Sequence, residues 1–152
     1  MNDSLAARSD LDKTDSGHCL ASIARPDEHP GQIGRFGNVP RMVFHPTADD
    51  PTRPNAGTIH YPAGTGFPLH RHDFAQVWYV LEGECEFGEK RLRAGDLVYH
   101  ADPHEEKDMY TAAGCTMLFV QYPGPVTGAR PIFAGRFDER ADTQNADLDL
   151  AK

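Results

Sequence analysis

The chain has 152 residues, of which 39% are hydrophobic and 25% charged, and its formal net charge is −8. This length suffices for a single domain with its own hydrophobic core. The longest apolar stretch, 115–120, falls far short of the ~20 residues that a membrane-spanning helix needs. The acidic balance and the lack of a run of Lys or Arg argue against nucleic acid as a partner.

The two ends of the chain differ from its middle. Residues 1–32 are predicted to form an N-terminal arm that is partly disordered or docks elsewhere, and residues 137–152 an acidic tail, since both are poor in large apolar residues. The arm has no apolar segment typical of a signal peptide, so a cytoplasmic location is expected. The three cysteines form no CxxC pair, which predicts buried, reduced thiols.

The middle of the chain, residues 33–136, predicts a β-barrel domain. Short segments rich in Val, Ile, Phe, Tyr and Thr alternate there with turn residues, about every ten positions. No segment sustains the 3.6-residue apolar period of a helix. The predicted strands are 41–45, 58–61, 76–81, 85–87, 96–100 and 115–122. This pattern favours an all-β sandwich or barrel with little helix.

Three histidines and a glutamine form a candidate metal site. His70 and His72 are one residue apart, so on a strand both side chains point to the same face. Gln76 begins the next strand and would join them if its face looks inward, and His104 follows a tight turn that could bring a third imidazole. Three nitrogens and one oxygen suit Mn(II), Fe(II), Ni(II), Co(II) or Zn(II), with coordination positions left for a small-molecule substrate.

The spacing around these residues resembles the cupin family. The first cupin motif, G(X)5HXH(X)3,4E(X)6G, is matched at every spacing, with glutamine in place of glutamate. The matching residues are Gly64, His70, His72, Gln76 and Gly83.

The second cupin motif, G(X)5PXG(X)2H(X)3N, is matched in part by Gly95 and His104. The turn before His104 is two residues short, and Asp108 stands where the family has asparagine. The resemblance implies a double-stranded β-helix, a jelly-roll barrel with one divalent transition metal in its mouth. It also implies a homodimer, which is common in the family.

Gln76 carries no charge where most cupins supply a carboxylate, so the bound ion is expected to keep its full +2 charge. Such an ion favours Lewis-acid chemistry on a small oxygenated organic acid or carbonyl compound, by isomerisation, enolisation or lyase cleavage. Cupins with glutamine here include uronate-processing enzymes and manganese-dependent hydroxynitrile lyases, which favours the same chemistry. The alternatives are an Fe(II) dioxygenase with the same ligands, a non-catalytic small-molecule sensor and a structural metal site.

Acid and base chemistry needs a titratable group near the metal. His60 lies on the strand before the first motif, and Tyr99 and His100 end the strand before His104, so these three are the candidate catalytic residues. Each also fits a partly exposed position at a strand end, where it would have no catalytic role. Trp78, two residues beyond Gln76, is expected to floor the cavity.

Overall fold

A computed structural model describes residues 21–122, apart from positions 49, 51 and 73. The acidic tail 137–152, most of the N-terminal arm and Cys19 therefore lie outside the described residues. Residues 21–32 of the predicted arm are described; none of them is buried, and Pro26–Glu28 form a single 3-10 turn. Within the described part of the chain, no helix has the length and apolarity needed to cross a membrane.

The rest of the described chain is built almost entirely from β-strands, which confirms the all-β prediction. The strands are β1 Val39–Phe44, β2 Asn55–Tyr61, β3 Thr65–Phe67, β4 His70–His72, β5 Gln76–Phe87, β6 Lys90–Arg93, β7 Leu97–His100, β8 His104–Glu106, β9 Met109–Thr111 and β10 Cys115–Gln121. Two of the predicted strands, 76–81 and 85–87, are one continuous strand, because Gly83 takes a left-handed φ of 74° within it instead of ending it.

The long strand β5 organises the barrel. Its first half pairs with β10 and β7, and its second half pairs with β6 and β9. The main sheet runs β1-β2-β10-β5-β9-β3, all antiparallel in the pairs described, while β4 and β8 form a separate two-stranded ribbon. The sheet therefore curls around β5, and the β4–β8 ribbon carries the histidines of both candidate motifs.

An apolar core fills the space within the curled sheet. Trp78 is 1% exposed, and Val80 and Met117, which face each other across β5 and β10, are fully buried. Cys85 and Cys115 belong to the same core and are free thiols, as predicted for them. The core excludes water from the inner face of the barrel, so a polar group on that face must find partners within the protein.

One inward level of the sheet is polar. Four buried side chains lie side by side on neighbouring strands at this level, and we call them the polar row: Asn55 on β2, Gln121 on β10, Gln76 on β5 and His100 on β7. Trp78, the next inward-facing residue after Gln76 along β5, already belongs to the apolar core. The polar row thus lies on one side of the apolar core, at the level of the candidate site.

The first and last residues of the first cupin motif are glycines, and they provide a test of the fold. Gly64 and Gly83 have φ values of 79° and 74°, but a Cβ at Gly64 would meet nothing within 4 Å, whereas one at Gly83 would lie 2.1 Å from the Gly114 carbonyl oxygen. We expect Gly64→Ala to cost about 1 kcal/mol of unfolding free energy, for the left-handed backbone alone. Gly83→Ala should cost about 2 kcal/mol more, because the β5–β10 pairing must shift. Urea unfolding of the two variants measures the difference, and equal losses would contradict this packing.

Candidate metal centre

The β4–β8 ribbon presents two pairs of side chains to the interior. His70 and His72 on β4 are both buried, while Arg71 between them is half-buried on the other side. In the antiparallel register His70 lies opposite Glu106 and His72 opposite His104. Strand alternation therefore places all four side chains on one face of the ribbon, within reach of one another.

The carboxylate of Glu106 lies at the centre of the three histidines. Its Oε2 is 3.0 Å from Nε2 of His72 and 3.5 Å from Nε2 of His104, and its Oε1 is 3.7 Å from Nε2 of His70. Glu106 is 4% exposed. Three imidazole nitrogens thus converge on one carboxylate. Among the described residues, two groups of ligand atoms that could hold a metal ion share this carboxylate: His70, His72 and Glu106, and His100, His104 and Glu106.

Two backbone carbonyls fix the orientation of the imidazole rings. Nδ1–H of His70 donates to the Pro68 carbonyl and Nδ1–H of His104 to the Ala101 carbonyl, each at 2.7 Å. Since a carbonyl oxygen can only accept, the ring proton is on Nδ1, and Nε2 is left to face Glu106. Backbone bonds of this kind commonly orient histidines that bind metals.

The charges at this centre require a cation. A neutral imidazole turns the lone pair of Nε2 toward the Glu106 oxygens, which are also acceptors, so these atoms repel each other. A proton on Nε2 or a metal cation relieves that repulsion. Burial acts to raise the pKa of Glu106, but hydrogen bonds from His104 and His72, donated when their Nε2 atoms carry a proton, outweigh it and hold this pKa well below its usual range. The carboxylate is therefore ionised, and the donor set fits a divalent cation.

Gln76 reaches the same centre from β5. Its side chain is fully buried, its Nε2 donates to Oε2 of Glu106, and Nε2 is 3.3 Å from Nε2 of His104. Among the described residues, its Oε1 has no hydrogen-bond partner. Because the two ends of an amide differ little in shape, a half-turn of the group would bring Oε1 to the centre. The structure thus brings together His70, His72, Gln76 and His104, the residues predicted as ligands.

His100 is the predicted catalytic residue that the structure places beside this centre. It is 6% exposed, and its ring centroid lies 4.8 Å from that of His104 and 4.4 Å from that of Trp78. One ring nitrogen of His100 lies within 4.8 Å of ligand atoms of His104 and Glu106. Burial lowers the pKa of His100 to about 4, even though Glu106 acts to raise it. The imidazole is therefore neutral at pH 7.

The structure places the other two predicted catalytic residues away from the centre. His60 alternates with the buried Ile59 and Tyr61, so its side chain lies on the other face of β2, where Nδ1 is 2.9 Å from Oγ1 of Thr116. Tyr99 is 70% exposed. Strand alternation decides both placements. The sequence shows this alternation, but it does not show which face of the strand looks inward.

A cavity of about 280 Å³ opens beside the metal-ligand candidates. Its apolar wall includes Phe67, Phe74 and Trp78, so Trp78 forms part of the wall as expected. Tyr61 also lines it, and burial, followed by the nearby Glu106 charge, raises the pKa of its phenol well above the usual value. Tyr61 therefore stays protonated and can donate a hydrogen bond to a bound molecule.

Glu106 is a site residue that was not predicted, although it stands 11 positions after Gly95, where the second cupin motif at its full spacing has histidine. The sequence does carry a signal for it, because His104 and Glu106 are one residue apart, the same spacing that puts His70 and His72 on one face. The Glu106 carboxylate corrects the expectation that all the ligands of the ion are neutral. With an ionised carboxylate at the centre, a divalent ion would carry a net charge of about +1 rather than +2.

Comparison with known proteins agrees with the fold. The family model described as "ChrR Cupin-like domain" matches residues 47–125. An acetylacetone dioxygenase from Acinetobacter johnsonii superposes with a TM-score of 0.57 and 11% identity, over 90% of this chain and 99% of that one. The polyketide cyclase RemF from Streptomyces resistomycificus superposes with a TM-score of 0.56 and 16% identity, over 68% of this chain and 80% of that one. At these identities the likeness shows the fold alone.

A third solved structure and one curated protein are also similar to this chain. An RmlC-like cupin from Shewanella frigidimarina superposes with a TM-score of 0.53 and 22% identity, over 70% of this chain and 94% of that one. These superpositions confirm the jelly-roll barrel. The dimethylsulfoniopropionate lyase DddQ from Ruegeria pomeroyi is 35% identical over 54 residues, which span 32% of this chain and 27% of the lyase. The chain thus matches about a quarter of that relative's length.

Removal of the central charge tests the site. We expect Glu106→Gln to weaken binding of Zn(II) or Mn(II) by about tenfold or more, because loss even of an outer partner of a metal ligand can cost that much. Glu105→Gln is the matched control, since Glu105 is the neighbouring residue on β8 and pairs at the surface with Arg71 and Lys107. Competition with a chromogenic chelator gives both affinities, and equal affinities would exclude Glu106 from the site.

The metal-free protein should lose stability in mild acid. The folded state holds His100 with a pKa of about 4 against the usual 6.5, and burial lowers the pKa of His72 too. As the pH falls from 6.5 toward 4, the unfolded chain takes up protons that the folded chain does not, so the unfolding free energy decreases. His100→Asn should flatten this dependence, and replacement of the exposed His29 should not. Thermal unfolding in EDTA across this range provides the measurement, and parallel curves for the wild type and His100→Asn would contradict it.

Proposed function

The chain belongs to the family of ChrR cupin-like domains, and on that premise we propose that it is a metal-dependent enzyme acting on a small oxygenated organic molecule by Lewis-acid chemistry. The observation that carries the proposal is the convergence of three histidine Nε2 atoms on the Glu106 carboxylate. This centre lies at the wall of a cavity large enough for a small molecule, since His70, His72 and Glu106 all line it.

The residues that would hold the ion are His70, His72, His104 and Glu106, with Gln76 as a further oxygen ligand or as the hydrogen-bond donor that orients Glu106. A bound Mn(II), Fe(II), Ni(II), Co(II) or Zn(II) would act as a Lewis acid toward a substrate carbonyl or alkoxide oxygen. Because Gln76 is neutral, Glu106 supplies the anionic charge at this site, and a divalent ion there keeps a net positive charge.

The proton chemistry in this proposal belongs to His100 and Tyr61. His100 is neutral at pH 7, and among the described residues its Nε2 has no hydrogen-bond partner, so it can accept a proton. Tyr61 keeps its phenolic proton and lines the cavity, so it can donate to a substrate oxygen that gains negative charge. Together these groups suit removal of a proton next to a carbonyl, as in enolisation, isomerisation or elimination.

The curated relative supports the elimination branch. DddQ is named as a dimethylsulfoniopropionate lyase, and a lyase cleaves a bond by elimination, a reaction that proton removal next to a carbonyl would start in this chain. The matched segment is short, so the reaction type in this chain is part of the proposal. The walls formed by Phe67, Phe74 and Trp78 would keep water from the reacting atoms and favour elimination or isomerisation over hydrolysis.

Metal analysis followed by turnover assays tests the function. We expect the purified protein to contain a divalent transition metal, to lose activity in EDTA and to regain it on reloading. Under argon it should convert a member of a panel of 2-hydroxy ketones, 3-substituted carboxylic acids such as dimethylsulfoniopropionate, and β-diketones. His70→Ala should abolish both metal content and turnover, whereas Arg71→Ala, at the neighbouring position on the other face of β4, should preserve both.

Three outcomes would redirect this proposal. Oxygen uptake that depends on substrate and Fe(II), with no turnover under argon, would identify a dioxygenase and overturn the Lewis-acid mechanism. Full metal content and turnover in His70→Ala would overturn the site itself. Tight metal and ligand binding without conversion of any panel compound would point to a small-molecule sensor.

A further inference from the structure

The wall of the cavity beyond Gln76 carries two buried amides that the proposed chemistry does not use. Asn55 is 4% exposed and Gln121 is 7% exposed, and both line the same cavity as His70 and His72. They belong to the polar row, in which Gln121 neighbours Gln76 and Asn55 neighbours Gln121. Asn55 is thus two strand spacings from Gln76, roughly 10 Å between their backbones.

These two amides are only partly satisfied by each other. Asn55 Nδ2–H donates to Oε1 of Gln121 at 3.1 Å, whereas Oδ1 of Asn55 is buried and, among the described residues, accepts no hydrogen bond. An unsatisfied buried acceptor costs about 1–3 kcal/mol. If oxygen and nitrogen are exchanged in both amides, Asn55 and Gln121 still share one hydrogen bond. One amide oxygen and one amide nitrogen of the pair then remain outside that bond. The wall therefore offers both functions to a bound molecule in either assignment.

The charge of the cavity limits which molecule could use this wall. None of the described residues that line the cavity is a lysine or an arginine. A carboxylate placed against Asn55 and Gln121 would lose its hydration without gaining a counter-ion, and it could not donate to the free acceptor. A hydroxyl or a carboxamide can donate and accept at once, so it would satisfy both amides.

We propose that Asn55 and Gln121 bind a neutral hydroxyl or carboxamide at the end of the substrate opposite to the oxygen that meets the metal. The inference rests on the proposed function and deepens it, because it assigns the substrate class: a short molecule with an oxygen function at one end and a neutral donor and acceptor group at the other. The cavity of about 280 Å³ accommodates such a molecule.

Hydroxamates of equal length test the inference with the Zn(II)-loaded protein. Four probes share the metal-binding hydroxamate and differ at the far end: 4-hydroxybutanohydroxamate, 4-amino-4-oxobutanohydroxamate, pentanohydroxamate and succinate monohydroxamate. By calorimetry, the hydroxyl and carboxamide probes should bind about tenfold more tightly than the methyl and carboxylate probes, the value of one satisfied hydrogen bond. Equal affinities, or a preference for the carboxylate, would overturn the inference while leaving the metal site intact.

Variants separate binding from a purely structural role. Asn55→Leu should remove the tenfold preference for the hydroxyl and carboxamide probes over the methyl probe, while the Zn(II) content stays unchanged. Thr116→Val is the matched control, because Thr116 makes a bond to His60 across the same pair of strands, on the face away from the cavity. It should keep the preference. A preference that survives in Asn55→Leu would show that the amides only tie β2 to β10.

Three further outcomes complete the test. If Asn55→Leu shows no cooperative thermal transition, Gln121→Met takes its place with the same expected loss, and the ratio of affinities in the wild type remains an independent measurement. If the wild-type protein binds neither Zn(II) nor any hydroxamate, both the inference and the proposed function are overturned. Zn(II) binding together with hydroxamate affinity but without discrimination overturns the inference alone.

Discussion

The buried carboxylate of Glu106 is the group on which the arrangement of the site depends. It faces the Nε2 atoms of His70, His72 and His104 at distances of 3.0 to 3.7 Å. Acceptor atoms at that spacing repel unless a positive charge lies among them, and burial among aromatic rings leaves little water to screen the repulsion. The backbone bonds of His70 and His104 hold the rings against rotating away. The fold therefore preorganises a site for a cation.

The position of this carboxylate also determines the charge of the site. In the first cupin motif an acidic residue is expected on the strand after the histidines, and this chain has Gln76 there instead. The acid comes from β8, and the Gln76 amide donates to it from across the centre. The two residues together provide one negative charge and one oriented amide. A divalent ion would keep a net positive charge, but less of it than the neutral ligand set predicted from the sequence implies.

The layering of polar and apolar rows explains why the cavity has polar side chains on one part of its wall and apolar side chains on another. The polar row crosses β2, β10, β5 and β7 on one side of the core built around Trp78, Val80 and Met117. Rigid strands hold its side chains, so their spacing is that of the sheet. One end of the row joins the metal-ligand candidates, and the other ends at Asn55. The same register that closes the barrel thereby spaces the two ends of a prospective ligand.

Local periodicity was enough to predict the all-β class and the shared face of His70 and His72, because each depends only on turn spacing or on strand alternation. Alternation does not say which face looks inward, so it could not separate His100, which lies at the site, from Tyr99 and His60, which do not. Strands β3, β4, β8 and β9 have three residues each, too few for a periodic signal.

By itself, the sequence determined the kinds of side chain available, their spacing along the strands and, at Gly64, one place where the chain turns. Only the tertiary structure decided that Glu106 meets the histidines, because that contact follows from the pairing of β4 with β8 across more than thirty positions of chain. It equally decided that Asn55 and Gln121 face the cavity together, since the β2–β10 register joins residues 66 positions apart. Contacts between distant residues follow from strand pairing, and strand pairing follows from burial of the whole core.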